Sequence, residues 1–229
     1  MSGASRGLGL AFAQALRDDG YAVVGLARTL PPDAPSGINF ASCDVRDADE
    51  VRALTRAAVR DRGPVAICVN AAGIASMNHF VTTPGAMRQR IMDVNYGGTA
   101  NLMQAVLPGM IRARNGRIVN ISTVAVRYDL EGEAAYVASK AAIEALTRTV
   151  AREVGDFGIT VNAIAPPPIP TALLSGVPER SVEQLVGRQA IRRMGTAEDV
   201  VNVVRFLIAP TSSLVTGQVI SLGARERVP

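Results

Sequence analysis

The sequence predicts a doubly wound α/β domain, a parallel sheet covered by helices on both faces. Three observations lead there. Short apolar runs of strand length alternate with longer segments of helical periodicity. The short runs are apolar throughout rather than alternating, the pattern of strands buried on both faces. Finally, 229 residues at 48% hydrophobic and 19% charged suit one domain with a large core and exclude a disordered chain.

Each element follows in order. Residues 8–19 form a helix with Leu8, Ala11, Phe12, Ala15 and Leu16 on one stripe, stopped by Gly20. Runs 21–27 and 38–43 are strands, 47–62 a helix ended by Gly63 and Pro64, and 65–69 a third strand. One long helical stretch covers 84–114. Strand 117–122, helix 134–154, strand 159–164, helix 197–207 and strand 218–222 complete the alternation. No repeat or linker interrupts it, so 1–229 is expected to be a single domain. The proline-rich run 166–170 follows a strand. It is therefore a loop at the strands' carboxyl edge, where such sheets bind ligands.

Composition removes several function classes. The net charge of +4 comes mostly from scattered arginines, which argues against a nucleic-acid stripe and suits an anionic small molecule. Cys43 and Cys68 sit in apolar runs and read as buried reduced thiols. His79 is the single histidine, so no metal site is expected. No run reaches the ~18 apolar residues of a membrane span, and no basic-then-apolar leader precedes the first motif. The expectation is a soluble cytoplasmic protein.

The first motif is Ser2-Gly-Ala-Ser-Arg-Gly-Leu-Gly9, just before the first helix. Gly3, Gly7 and Gly9 let the backbone approach a pyrophosphate, and the helix start offers free N–H groups to it. Ser5, Arg6 and Leu8 belong to the same loop. Arg28 ends the 21–27 strand, where an acid would accept the ribose hydroxyl of NAD. Arginine suits the extra phosphate of NADP(H) instead, with Arg6 as a second partner.

The second motif is Tyr136-Val-Ala-Ser-Lys140. At this spacing both side chains share a helix face. A free tyrosine titrates near ~10. One ammonium at ~4 Å supplies ~4 kcal/mol at an effective dielectric of ~20, enough to lower that by ~3 units. Lys140 is therefore expected to tune Tyr136 into a general acid/base.

The glycine loop, Asn70-Ala-Ala-Gly73, Asn95, Ser122-Thr123 and the Tyr136/Lys140 pair occur in one order. In this the sequence resembles the short-chain dehydrogenase/reductase family over essentially residues 2–223. Segments Arg152-Glu-Val154, Gly158-Ile-Thr-Val-Asn162 and Thr216-Gly-Gln218 look most like its 3-oxoacyl-acyl-carrier-protein reductases, enzymes of fatty acid biosynthesis. The resemblance implies a Rossmann-type fold and reduction of a ketone by hydride from a nicotinamide. It implies Tyr136 as proton donor, Lys140 as its tuner and ribose holder, Asn95 as anchor of a water, and Thr123 as the hydroxyl on the substrate oxygen. Asp44 and Val45 would hold the adenine, Asn70, Ala71 and Gly73 would line the cofactor, and Pro166, Ile169 and Thr171 would meet its carboxamide end. Residues 172–195 would form a substrate lid. A homotetramer or homodimer would assemble through the helices bearing Asn95 and Tyr136.

The chain also departs from that pattern. Thr123 stands where serine is usual, and Ser122 is the other hydroxyl at hand, although strand alternation points it away. Ala71 replaces a frequent asparagine. Pro167 replaces a glycine, which stiffens the loop. Phe157 stands where carrier-protein reductases often have a basic residue, leaving Arg114 as the candidate carrier-protein contact. The family's first strand is absent ahead of the glycine loop, so a start upstream of Met1, or a shortened chain, is expected. Two other readings remain at this point: a catalytically impaired nucleotide-binding relative acting as sensor or partner subunit, and an NAD-linked dehydrogenase, against which Arg28 argues.

Overall fold

The computed structural model describes residues 1–174 and 177–223. Helix α1 (Gly7–Asp18) leads into β1 (Val23–Ala27) and β2 (Ile38–Ser42), then α2 (Ala48–Arg62) and β3 (Ile67–Asn70). Helices α3 (Gly85–Met92) and α4 (Gly98–Ala113) precede β4 (Gly116–Ile121) and the short α5 (Ala125–Tyr128). Helix α6 (Ala134–Val154), β5 (Ile159–Ala165), α7 (Glu179–Arg188), α8 (Ala197–Ile208) and β6 (Val219–Ser221) follow.

Every ladder is parallel. β1 pairs with β2, and β3, β4, β5 and β6 pair in that order. The apolar strands find partners on both faces. Helices α1 and α8 pack on one side around Phe12, Ile164 and Leu207, and α2, α4 and α6 on the other around Met110, Ile118 and Val161. β4 and β5 are buried along their whole length, which explains their unbroken apolar character.

Met1 and Ser2 join the two halves of the sheet. Ser2 bridges Leu26 of β1 and Asn70 of β3, both in parallel sense. Its N–H donates to the Val69 carbonyl at 3.0 Å, Leu26 N–H donates to the Met1 carbonyl at 2.8 Å, and the Met1 amino group donates to the Val24 carbonyl at 2.8 Å. That amino group is buried, and its pKa is pulled down by desolvation. Beside Met1, between β1 and β3, lies a groove of about 260 Å³ walled by Val23, Val24, Leu54, Ile67, Leu102 and Val106.

The long helical stretch expected over 84–114 is present from Gly85 to Ala113, with a π-helical turn at Asp93–Gly97 between α3 and α4. Such turns displace the residue they carry, here Asn95, from the regular helical path. Helix α7 lies within the segment 172–195. Cys43 and Cys68 are buried free thiols as expected, and burial is the main cause pushing each up to about 11. Among the described residues no cluster could hold a metal ion, and no helix is long and apolar enough to cross a membrane.

The groove beside Met1 yields a prediction. Extending the chain before Met1 by four valine or isoleucine residues would bury ~1.5–3 kcal/mol per side chain, against ~1–2 kcal/mol of backbone entropy per residue. At ~2–4 °C per kcal/mol for a domain of this size, the melting temperature should rise by about 5 °C or more. An unchanged melt would show that the groove does not accept a strand.

Candidate active site

The loops after β1, β2, β3, β4 and β5 converge with the glycine loop on one cavity of about 910 Å³. This is the carboxyl edge of the sheet, where the strand dipoles and free loop groups meet.

At one end is the glycine cradle. A Cβ on Gly9 would lie 2.0 Å from the Gly3 carbonyl oxygen, so only glycine lets α1 sit on the loop. Gly3 has φ +69°, and a Cβ there would meet Ala72 N at 2.6 Å. α1 has no acid in its first turn and no side-chain cap on its first N–H groups, which leaves them for an anion. Gly3, Ser5, Arg6, Gly7, Leu8, Gly9 and Arg28 all line this end. Arg6 and Arg28 are exposed, and among the described residues neither has a carboxylate partner. Asp44 and Val45 stand on the wall beyond them. Asp44 is gripped by Arg46, whose Nη2 lies 2.6 Å from its Oδ2, and that hydrogen bond lowers its pKa.

Thr123, Tyr136 and Lys140 also line the cavity, as do Pro166, Ile169 and Thr171, the last standing against Gly7 of the glycine loop. The Thr123 side chain stands close enough to the Tyr136 phenol to favour its ionised form, and its hydroxyl accepts the Ala125 N–H at 3.2 Å. Lys140 Nζ donates to the Ile121 carbonyl at 2.8 Å and stands 5.9 Å from the Tyr136 ring centre. The expected electrostatics are corrected here. Burial pushes the Tyr136 phenol well above its ordinary range, the Glu133 carboxylate adds to this, and the Thr123 side chain opposes it. Lys140 does not lower the phenol in this arrangement; burial instead brings its own pKa down to about 8. Desolvation of two buried groups outweighs their mutual effect.

Ser122 faces away from Tyr136, as alternation requires. Its Oγ donates to Glu144 Oε1 at 2.7 Å, and Glu144 Oε2 lies 3.5 Å from Arg127 Nη1. Asn70 and Asn95 lie behind the wall rather than on it, while Ala71 and Gly73 line it. Asn70 Nδ2 donates to Asn120 Oδ1 at 2.8 Å, and Asn120 donates on to Thr147 at 2.9 Å. Asn95 is wholly buried. Its Nδ2 donates to the Ile74 carbonyl and Ser139 Oγ at 3.0 and 2.9 Å, and its Oδ1 accepts the Ile74 N–H at 2.8 Å. It thus fastens the loop after β3 to α6, an arrangement that no spacing in the sequence signals.

Helix α7 closes the cavity through Leu185, which packs on Val124 and Tyr128. The Tyr128 hydroxyl donates to the Arg188 carbonyl at 3.4 Å, and Arg188 Nη1 donates to the Tyr128 carbonyl at 3.0 Å. Sequence reading missed Glu133 on the cavity wall and the buried Glu144. Acids in a helical segment normally signal a solvated face. Arg114 precedes β4, at the sheet's amino edge and across the strand from the cavity, where it donates to the Asp156 carbonyl at 2.7 Å.

Comparison with known proteins bears on this site. The profile of a family described as Enoyl-(Acyl carrier protein) reductase matches residues 3–223. The chain is 34% identical to a 3-oxoacyl-[acyl-carrier-protein] reductase of Staphylococcus aureus over 230 residues, covering 96% of this chain and 94% of that one. It is 36% identical to the protein of the same name from Pseudomonas aeruginosa over 227 residues, 95% and 92% of the two chains. The ligand-free structure of Thermoplasma acidophilum aldohexose dehydrogenase superposes with a TM-score of 0.89 at 29% identity, covering 100% of this chain and 94% of that one.

The two hydroxyls at the end of β4 should separate cleanly. Ser122→Ala strips a buried donor from Glu144, at a cost of about 1–3 kcal/mol, and should lower the melting temperature by about 2–10 °C. Thr123→Ala, which removes a hydroxyl facing the cavity, should shift it by less. Thermal melts of the two variants check this.

Proposed function

Since the chain belongs to the short-chain dehydrogenase/reductase family and is an oxidoreductase, we propose that it reduces a ketone, a 3-oxoacyl thioester or near relative, to a secondary alcohol with NADPH. The observation that carries this reading is Thr123, Tyr136 and Lys140 on one wall of a cavity whose far end is a glycine cradle. Nucleotide binding alone has no need of a phenol, a hydroxyl and an amine on one cavity wall, which disfavours a purely sensory relative.

The residues present fit a nicotinamide dinucleotide phosphate. Gly3 and Gly9 let the glycine loop pack tightly under the start of α1, which offers uncapped N–H groups to a pyrophosphate. Arg6 and Arg28 would take the 2′-phosphate, and Asp44 and Val45 would border the adenine. When bound, the reduced nicotinamide would supply the hydride. Tyr136, held protonated by burial, donates its proton to the substrate oxygen as charge develops there. Thr123 hydrogen-bonds the same oxygen, which fixes it beside the phenol. Lys140 would present an ammonium toward the ribose. Asn95 holds the loop carrying Gly73 and Ile74, and in this reading anchors the water that reprotonates the site. A soluble cytoplasmic homotetramer or homodimer, receiving its thioester from an acyl carrier protein, completes the proposal.

Mixing the protein with NADPH and acetoacetyl thioester should bleach the reduced-nicotinamide absorbance, faster than NADH does. Tyr136→Phe should lower kcat by about 100-fold or more while the Kd for NADPH changes little. NADPH binding without oxidation of any ketone would overturn the reading.

The pH profile gives a second check. Lys140 has its pKa lowered to about 8, so its ammonium is present below that pH and lost above it. Tyr136 is shifted upward and does not titrate in this range. kcat/KM should therefore hold up to about pH 8 and fall about tenfold per unit beyond it, and Lys140→Met should flatten the profile at a low level.

A further inference from the structure

Glu144 holds one end of a turn on each of its two carboxylate oxygens. Oε1 accepts the Ser122 hydroxyl at 2.7 Å, and Oε2 lies 3.5 Å from Arg127 Nη1. Between those contacts the chain carries Thr123, Val124 and Ala125, all on the cavity wall. The first half of the turn is also tied by backbone: Ser122 N–H donates to the Ile164 carbonyl at 2.7 Å and Val124 N–H to the Pro166 carbonyl at 3.1 Å. Past Val124 the bonds turn local, with the Val126 and Arg127 N–H groups donating to the Thr123 and Val124 carbonyls at 3.3 and 2.9 Å. A helix of four residues such as α5 is too short to hold itself and depends on side-chain anchors. Arg127 reaches back to Glu144 on α6. Tyr128 reaches forward to α7, where its hydroxyl donates to the Arg188 carbonyl at 3.4 Å and its carbonyl accepts Arg188 Nη1 at 3.0 Å. Leu185 of α7 packs on Val124 and Tyr128 and lines the cavity. Helix α5 thus links α7 to the helix that carries Tyr136. The Glu144 and Arg127 side chains are 8% and 26% exposed, so water screens their attraction little.

Resting on the reading that the cavity takes a 3-oxoacyl thioester or near relative, we propose that Arg127 and Glu144 are positioning residues for the substrate wall: their ion pair fixes α5 and, through Tyr128, keeps α7 and Leu185 closed over the cavity. The reacting groups have ties of their own. Thr123 stays between two residues bonded to the Ile164 and Pro166 carbonyls, and Lys140 stays on the Ile121 carbonyl. Losing the pair therefore loosens the wall around the substrate and leaves the proton donor in place, a change read in KM rather than in kcat.

Three variants test this. Arg127→Leu removes the ion pair. Glu144→Gln removes it too, while keeping the shape and an acceptor for Ser122, so the chain stays folded. Arg127→Lys restores a cation. Hydrogen exchange of the α7 amides, measured on the protein alone, reads the brace without any turnover. It should rise about tenfold in Arg127→Leu and Glu144→Gln and about threefold or less in Arg127→Lys, with the β4 and β5 amides within about twofold of native. With NADPH present, KM for acetoacetyl thioester should rise about tenfold in the first two variants while kcat stays within about threefold. Native-like α7 exchange in either of those variants, or exchange rising equally in β4 and β5, overturns the brace. Faster α7 exchange with an unchanged KM, or with kcat falling as far as KM rises, overturns its role at the substrate wall. Faster α7 exchange without turnover of any ketone supports the brace and overturns the reductase reading instead.

Discussion

Helix α6 is fastened to the end of β4 by three consecutive strand residues and three helix residues spaced four apart. Ile121 receives Lys140, Ser122 donates to Glu144, and Thr123 meets Tyr136. A helix repeats its face about every four residues, while a strand turns its side chains to alternate sides. The match works because one of the three strand contacts is a backbone carbonyl, which does not obey the alternation. This seam fixes where the phenol stands on the cavity wall.

The seam is electrostatically demanding. It buries an ammonium, a phenol and a carboxylate within two turns of one helix. Glu144 has Ser122 and Arg127, while Lys140 has a carbonyl dipole and loses part of its hold on its proton. Burial therefore keeps Tyr136 protonated and Lys140 near its titration point. Glu133 pushes the phenol the same way.

The opposite end of the cavity rests on backbone rather than side chains. The contact of Gly9 with the Gly3 carbonyl and of Gly3 with the loop after β3 sets α1 directly over the joint made by Met1 and Ser2. Cofactor cradle and central sheet are thus one mechanical unit. The comparisons agree with this layout: relatives align over nearly the whole chain, and the aldohexose dehydrogenase superposes end to end.

Sequence by itself determined the alternation of strands and helices, the parallel sheet, the glycine loop and the Tyr136/Lys140 pair. Each depends on periodicity or on residues a few positions apart, where local geometry is fixed by the backbone. It also determined that Thr123 rather than Ser122 faces the phenol, because strand alternation is local too. Tertiary structure alone decided the rest. Asn95 and Asn70 turned out to be buried fasteners, since their partners Ile74, Ser139 and Asn120 are distant in sequence. The π-turn broke a periodic stretch that looks continuous. Burial overrode the expected effect of Lys140 on Tyr136, because desolvation depends on how much of the fold surrounds a group. Glu133 and Glu144 read as surface acids until packing showed one lining the cavity and the other buried behind it.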